Sequence, residues 1–139
     1  MASRPDAALD ELADEFDVLG DWEERYRHLI DLGRGLEPLT EAEHSDANKV
    51  RGCASQVWLV SEPTADGRLM LRGDSDAHLV KGLVAVVIRL FSGAGAAEIA
   101  AFDAPAGFAR LGLAGALSAQ RANGLAAMVA RIKSTANAA

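Results

Sequence analysis

Three observations predict an α+β fold. Apolar residues recur at spacings of three and four in the first third of the chain, and again in the last. Between them, an apolar run and an alternating run flank an Asp66-Gly67 turn. Helices, then a hairpin, then helices is the order of an α+β domain, with a small antiparallel sheet packed against several helices. The expected unit is a single domain over residues 1–139, long enough to bury its own core without staples.

Ser3 and Pro5 read as a helix start, with proline where a missing N–H costs little. Leu9, Leu12, Ala13 and Phe16 line that helix, and Val18-Leu19-Gly20 ends the pattern. Asp21 with Glu24 resembles a capping box. The second helix turns Trp22, Tyr26, Leu29 and Ile30 to the core and stops at Gly33 or Gly35. Leu36 to Asp46 carries Glu37, Glu41, Glu43 and Asp46, the pattern of a solvated acidic loop. Val57-Trp58-Leu59-Val60 is apolar on both faces, as in a strand covered from both sides. Leu69 and Leu71 alternate with Arg68 and Arg72 on the returning strand, and Val50 is placed for a short third strand. Asp74-Ser75-Asp76 offers N-caps for a central, largely buried helix over Ala77–Phe91, stopped by Ser92-Gly93. Two short helices follow, Ala96–Phe102 and Pro105–Leu111, broken by Asp103 and Gly112. Ser118 caps the last helix, whose inward stripe is Leu125, Met128, Val129 and Ile132. Arg121 falls on that stripe, so it must find an anion, with Asp74, Asp76 or a Cys53 thiolate on offer, or reach out to water.

Fourteen basic against twenty acidic residues give a net charge of −6, which argues against a nucleic-acid surface. Met1 to Asp6 has no apolar core behind its cation, so no secretory signal is expected, and no apolar run reaches the ~18 residues of a membrane span. One cysteine cannot form an internal disulfide, and a reducing cytoplasm is the expected location.

That cysteine stands in Asn48-Lys49-Val50-Arg51-Gly52-Cys53-Ala54-Ser55-Gln56-Val57-Trp58. A packing cysteine usually sits within an apolar run, whereas Cys53 lies at the mouth of one. Gly52 permits a tight turn, and Lys49 and Arg51 supply the positive charge that lowers a thiol pKa. One Cys and three scattered His (His28, His44, His78) lack the spacing of a metal site. No glycine-rich nucleotide motif is present. What remains is thiol chemistry without local help: sulfur exchange, oxidation sensing, or a thiol enzyme that recruits a distant histidine.

The Cys53 stretch resembles the active-site signature of the SufE family, the sulfur-acceptor proteins of iron–sulfur cluster assembly. Three further motifs follow the family's order: Trp22-Glu23-Glu24-x-Tyr26 with Ile30-x-Leu32-Gly33; Gly73-Asp74-Ser75-Asp76-Ala77 with Val80-Lys81-Gly82-Leu83; and Phe102-Asp103 with Leu117-Ser118-x-x-Arg121-x-x-Gly124-Leu125. Ala116 and Ala119 depart from the pattern, where a histidine and a proline are common. The resemblance implies an α+β fold like that of IscU-type scaffolds, with the cysteine in a loop at one end of the sheet. It implies that Cys53 takes a persulfide sulfur from a cysteine desulfurase, stimulates that enzyme, and passes the sulfur to an iron–sulfur scaffold. Pyridoxal phosphate belongs to the partner, and the chain needs no cofactor or metal of its own. Lys49, Arg51, Gly52 and Arg121 are the expected supporting residues, and Gln56, Asp74 and Asp76 are expected to contact the partner or anchor the loop. Self-association into a homodimer stays open at this point.

Overall fold

The computed structural model describes residues 3–138, so Met1 and Ala2, on which the reading of the N-terminus partly rests, lie outside it. The elements are α1 (Arg4–Asp17), α2 (Trp22–Arg34), β1 (Val57–Pro63), β2 (Arg68–Ser75), α3 (His78–Phe91), β3 (Ala94–Gly95), α4 (Ala96–Ala101), α5 (Ala104–Arg110) and α6 (Ala119–Ala138). The sheet is antiparallel in the order β1-β2-β3.

The first helices start as their sequences dictate. Ser3 accepts from the Asp6 amide, and Asp21 accepts from the Glu24 amide. Gly35, not Gly33, caps α2. Gly33 lies inside the helix because its missing side chain is needed there: a Cβ would stand 2.9 Å from the Gly82 nitrogen of α3. A Cβ on Gly82 would stand 2.2 Å from the Leu29 carbonyl oxygen, so α2 and α3 meet main chain to main chain. Gly73 in β2 does the same for the sheet, since a Cβ there would meet a Val84 methyl at 2.8 Å. α3 is thus the central helix, with Leu83, Val84, Val86, Val87, Leu90 and Phe91 fully enclosed. Leu125, Met128, Val129 and Ile132 of α6 join the same core.

Several expectations are corrected. The third strand is Ala94–Gly95, paired with Arg68 and Leu69 on the free edge of β2. Val50 instead belongs to a stretch too short for a strand, which meets the other edge of the sheet at Lys49 and Trp58. The N-cap position of α3 is Ala77, with no side-chain cap. Asp74 and Ser75 are spent within β2, and Asp76 turns to the Gln56 amide. Leu36 to Asp46 is also no solvated loop throughout. Arg72 grips Glu43 with both guanidinium arms and holds that carboxyl down to about 2, with help from the Thr40 amide. Cover on the second face of β1 is partial: Val57 and Leu59 are buried, while Trp58 and Val60 are half-buried. Trp22 and Tyr26 likewise sit at the edge of the core, the Tyr26 hydroxyl donating to the Ala116 carbonyl at 3.1 Å.

Gly82→Ala forces α2 and α3 apart. The expected loss is about 3 kcal/mol of stability, at the upper end for overpacking, read from urea denaturation.

Candidate functional site at the Cys53 loop

The chain between α2 and the sheet ends in a loop with two fixed stems. On the entering side, Val50 donates to the Val57 carbonyl at 2.8 Å and Leu59 to the Asn48 carbonyl at 2.9 Å. Arg131 of α6 clamps that stem, donating to the carbonyls of Lys49 at 3.1 Å and Ala47 at 2.7 Å. On the leaving side the Gln56 amide donates to Asp76 at 3.0 Å, and its carbonyl accepts from the Ser75 hydroxyl at 2.7 Å. Among the described residues, the main chain of residues 51–55 makes no hydrogen bond. Gly52, at φ +90°, turns the tip in a conformation that favours glycine.

The Cys53 side chain folds back onto α6. Its thiol donates to the Gly124 carbonyl at 3.5 Å, and a Cβ on Gly124 would lie in van der Waals contact with the sulfur at 3.4 Å. The sulfur borders a cavity of about 240 Å³ with an apolar back of Val80, Leu83 and Met128 and a polar rim of Ser55, Ser118 and Arg121. Burial pushes the thiol pKa up. The carbonyl opposite acts in the same direction, because an acceptor facing sulfur favours S–H over S⁻. A thiolate stabilised by Lys49 and Arg51 is therefore not the state of this pose. Neither cation lines the cavity, and Arg51 is exposed. Arg121 does line it, yet is exposed to solvent and has no ion-pair partner among the described residues. Its position on the stripe is thus resolved by reaching to water.

Asp74 is not available to Arg121 because it holds His44 at 2.7 Å and Lys81 at 3.2 Å. Asp76 is engaged with Gln56. Spacing does not single out His44 or Arg131, and Gly124 enters the sequence reading only within the Arg121-x-x-Gly124-Leu125 motif. The His44 Nδ1 faces the Thr40 carbonyl at 2.8 Å and its Nε2 faces Asp74, both acceptors. Only the imidazolium can donate to both, and the Asp74 hydrogen bond accordingly raises the pKa of His44 against the opposing effect of burial. The ring also meets Trp58 edge-on at 4.7 Å, tying residues 40–48 to β1. Gly124 did leave a signal: a lone glycine inside a helical stripe usually has a packing reason.

A family model described as SufE, an Fe-S metabolism associated domain, matches residues 10–136. The chain belongs to the SufE family. It is 52% identical over 101 residues to an uncharacterized SufE-like protein of Rhizobium etli, covering 70% of this chain and 68% of the relative. It is 50% identical over 100 residues to an uncharacterized SufE-like protein of Rhizobium meliloti, covering 70% and 71%. A hypothetical protein from Thermus thermophilus, known from its solution structure, matches over 100% of both chains with a TM-score of 0.76 and 17% identity, a likeness of fold alone. Within this SufE-family fold, no helix among the described residues is long and apolar enough to cross a membrane.

Two outcomes follow from the titrating groups. Alkylation of Cys53 by iodoacetamide, timed by mass spectrometry across pH, should titrate above the free thiol's ~8.5. The folded pKa of His44 lies above its unfolded value of about 6.5, so its stabilising effect is complete below that pH and is lost as pH rises through the raised value. Wild type should therefore lose more stability than His44→Gln above pH ~6.5, measured by urea midpoints at a series of pH values.

Proposed function

We propose that Cys53 accepts sulfane sulfur from a pyridoxal-phosphate-dependent cysteine desulfurase and delivers it for iron–sulfur cluster assembly, stimulating the desulfurase by relieving it of its product. The observation that carries this reading is the seat of the chain's one thiol: the tip of a loop with pinned stems, at the mouth of a cavity with space beside the sulfur. The reaction balances without an added oxidant. The Cys53 thiolate attacks the outer sulfur of the desulfurase persulfide, a new S–S bond forms, the old one breaks, and the desulfurase cysteine leaves as thiolate. Cys53 ends as a persulfide, and the chain is a carrier that turns over nothing by itself.

The resting thiol is protonated, so transfer begins when the tip lifts from the Gly124 carbonyl and the sulfur gives up its proton. Few bonds hold the tip, and the stems keep it close to α6 meanwhile. Gln56, Asp74 and Asp76 serve here as anchors. Returned to its seat, the persulfide has the apolar back of the cavity to exclude water and Ser55 and Ser118 to donate to its charged terminus. The absence of a second cysteine suits the role, since a resolving thiol would discharge the persulfide as sulfide. A peroxide sensor is less well supported, because such cysteines are accessible and of low pKa. Cytoplasmic operation matches the lone unpaired thiol.

Incubation with the desulfurase of the same organism and cysteine, followed by intact mass spectrometry, tests the reading. Wild type should gain one sulfur atom and Cys53→Ser none. A wild type that gains no sulfur, or a Cys53→Ser that gains as much, overturns it.

A further inference from the structure

The distribution of partnered cations singles out one surface. Of the fourteen Lys and Arg residues, Arg27, Arg34, Arg68, Arg72, Lys81, Arg89 and Arg110 reach carboxylates. Arg4, Arg131 and Lys133 reach main-chain carbonyls, and Arg25 stacks over Trp22. Among the described residues, Lys49, Arg51 and Arg121 have neither an ion pair nor a side-chain hydrogen bond to another group. These three share one neighbourhood: two lie within four residues of Cys53, and the third lines the cavity beside its sulfur.

The carboxylates are arranged in the opposite sense. Residues 47–61, which contain the loop, and residues 104–139, which contain the helix beneath it, hold no Asp or Glu, although the chain carries twenty. Of the carboxylates bordering these segments, Asp74 is neutralised by His44 and Lys81, while Asp46 and Asp76 keep their charge, Asp76 accepting only from the neutral Gln56 amide, so Lys49, Arg51 and Arg121 outnumber them. The Cys53 loop is therefore a cationic island on a protein of net charge −6. Cations that assisted the thiol would converge on the sulfur. Lys49 and Arg51 do not line its cavity, and Arg121 is exposed.

The geometry points to Lys49, Arg51 and Arg121 as a docking surface for a partner protein that presents carboxylates around its own reactive sulfur. This rests on the sulfur-carrier reading and adds to it the chemistry of the partner's surface. On a chain of net charge −6, a cationic island facing those carboxylates orients the encounter so that Cys53 arrives at the contact.

Association with the desulfurase of the same organism, followed by biolayer interferometry at about 0.05 M and 0.5 M salt, tests the inference. Lys49→Gln/Arg51→Gln, and the triple variant that adds Arg121→Gln, should slow association by about tenfold or more at low salt, and the difference should close at high salt. Neutralising the exposed but paired Arg27 and Arg34 should change neither. Reaction of Cys53 with uncharged iodoacetamide, with its pH midpoint, should be unmoved in the Lys49/Arg51 double variant. Unchanged association in both cation variants overturns the inference. So does a double variant whose alkylation slows in step with association, since the cations would then act on the sulfur. A wild type that associates in this salt-dependent way but gains no sulfur sinks the carrier reading and leaves the docking surface standing. A wild type that does not associate at all sinks both.

Discussion

α3 touches α2 through main-chain atoms, and the positions of the remaining elements follow from that approach. Gly33 and Gly82 remove the side chains that would hold the two helices at the usual 8–10 Å separation. With α2 drawn in, the almost wholly apolar circumference of α3 is covered by α1, the sheet and α6. The stripe of α6 settles against α3, and Gly124, one residue before that stripe begins, is brought under the Cys53 loop. A sulfur resting on helix backbone is thus the far end of a chain of contacts that begins at the Gly33–Gly82 approach. Glycine inside a helix costs about 1 kcal/mol relative to alanine, and at Gly33 and Gly82 the close approach of α2 and α3 requires it against that propensity.

Charge is used in two distinct ways. In the body of the protein it fastens: Arg72 to Glu43, His44 to Asp74 and Arg89 to Glu15 join segments distant in sequence, and Lys81 ties the start of α3 to Asp74 at the end of β2. These pairs are partly sheltered from solvent, where they are screened less than surface pairs. Around Cys53 the cations have been left without internal partners. The division also explains why the loop stems are fixed and the tip is not. Arg131 and Asp76 spend their charge on main-chain groups of the stems, whereas no charged group binds residues 51–55.

The helices, the hairpin and the central buried helix were legible because hydrophobic period reports burial directly. Ser3 and Asp21 were legible as caps because capping is local. Asp74-Ser75-Asp76 misled for the same reason: as a sequence it is an excellent cap, but β2 extends through Ser75 and the loop competes for Asp76. The sequence offers Val50 as a possible third strand, while Ala94–Gly95 pairs with β2 only because α3 returns it to that edge. At the site, Cys53 and Gly52 were evident from sequence. The sign of the thiol's pKa shift was not, because it is set by burial, and the helix the sulfur rests on, α6, lies more than seventy residues away in sequence. Two adjacent cations suggested a thiolate, but proximity in sequence did not become proximity to the sulfur.

That reversal bears on how one thiol can be both reactive and safe. A permanently exposed thiolate reacts with any oxidant or disulfide it meets, at rates that follow thiolate fraction and access. Seating the sulfur against a carbonyl suppresses both at once, without a second residue to block it. Reactivity then depends on moving the tip by the width of its contact with Gly124, a motion resisted by one weak sulfur hydrogen bond and the packing beneath it. A docking partner, in the carrier reading, supplies that motion from binding energy, which a molecule that does not dock lacks. In the carrier reading, selectivity therefore lies in who can lift the loop. The chemistry at sulfur stays ordinary, and the fold decides when it is available.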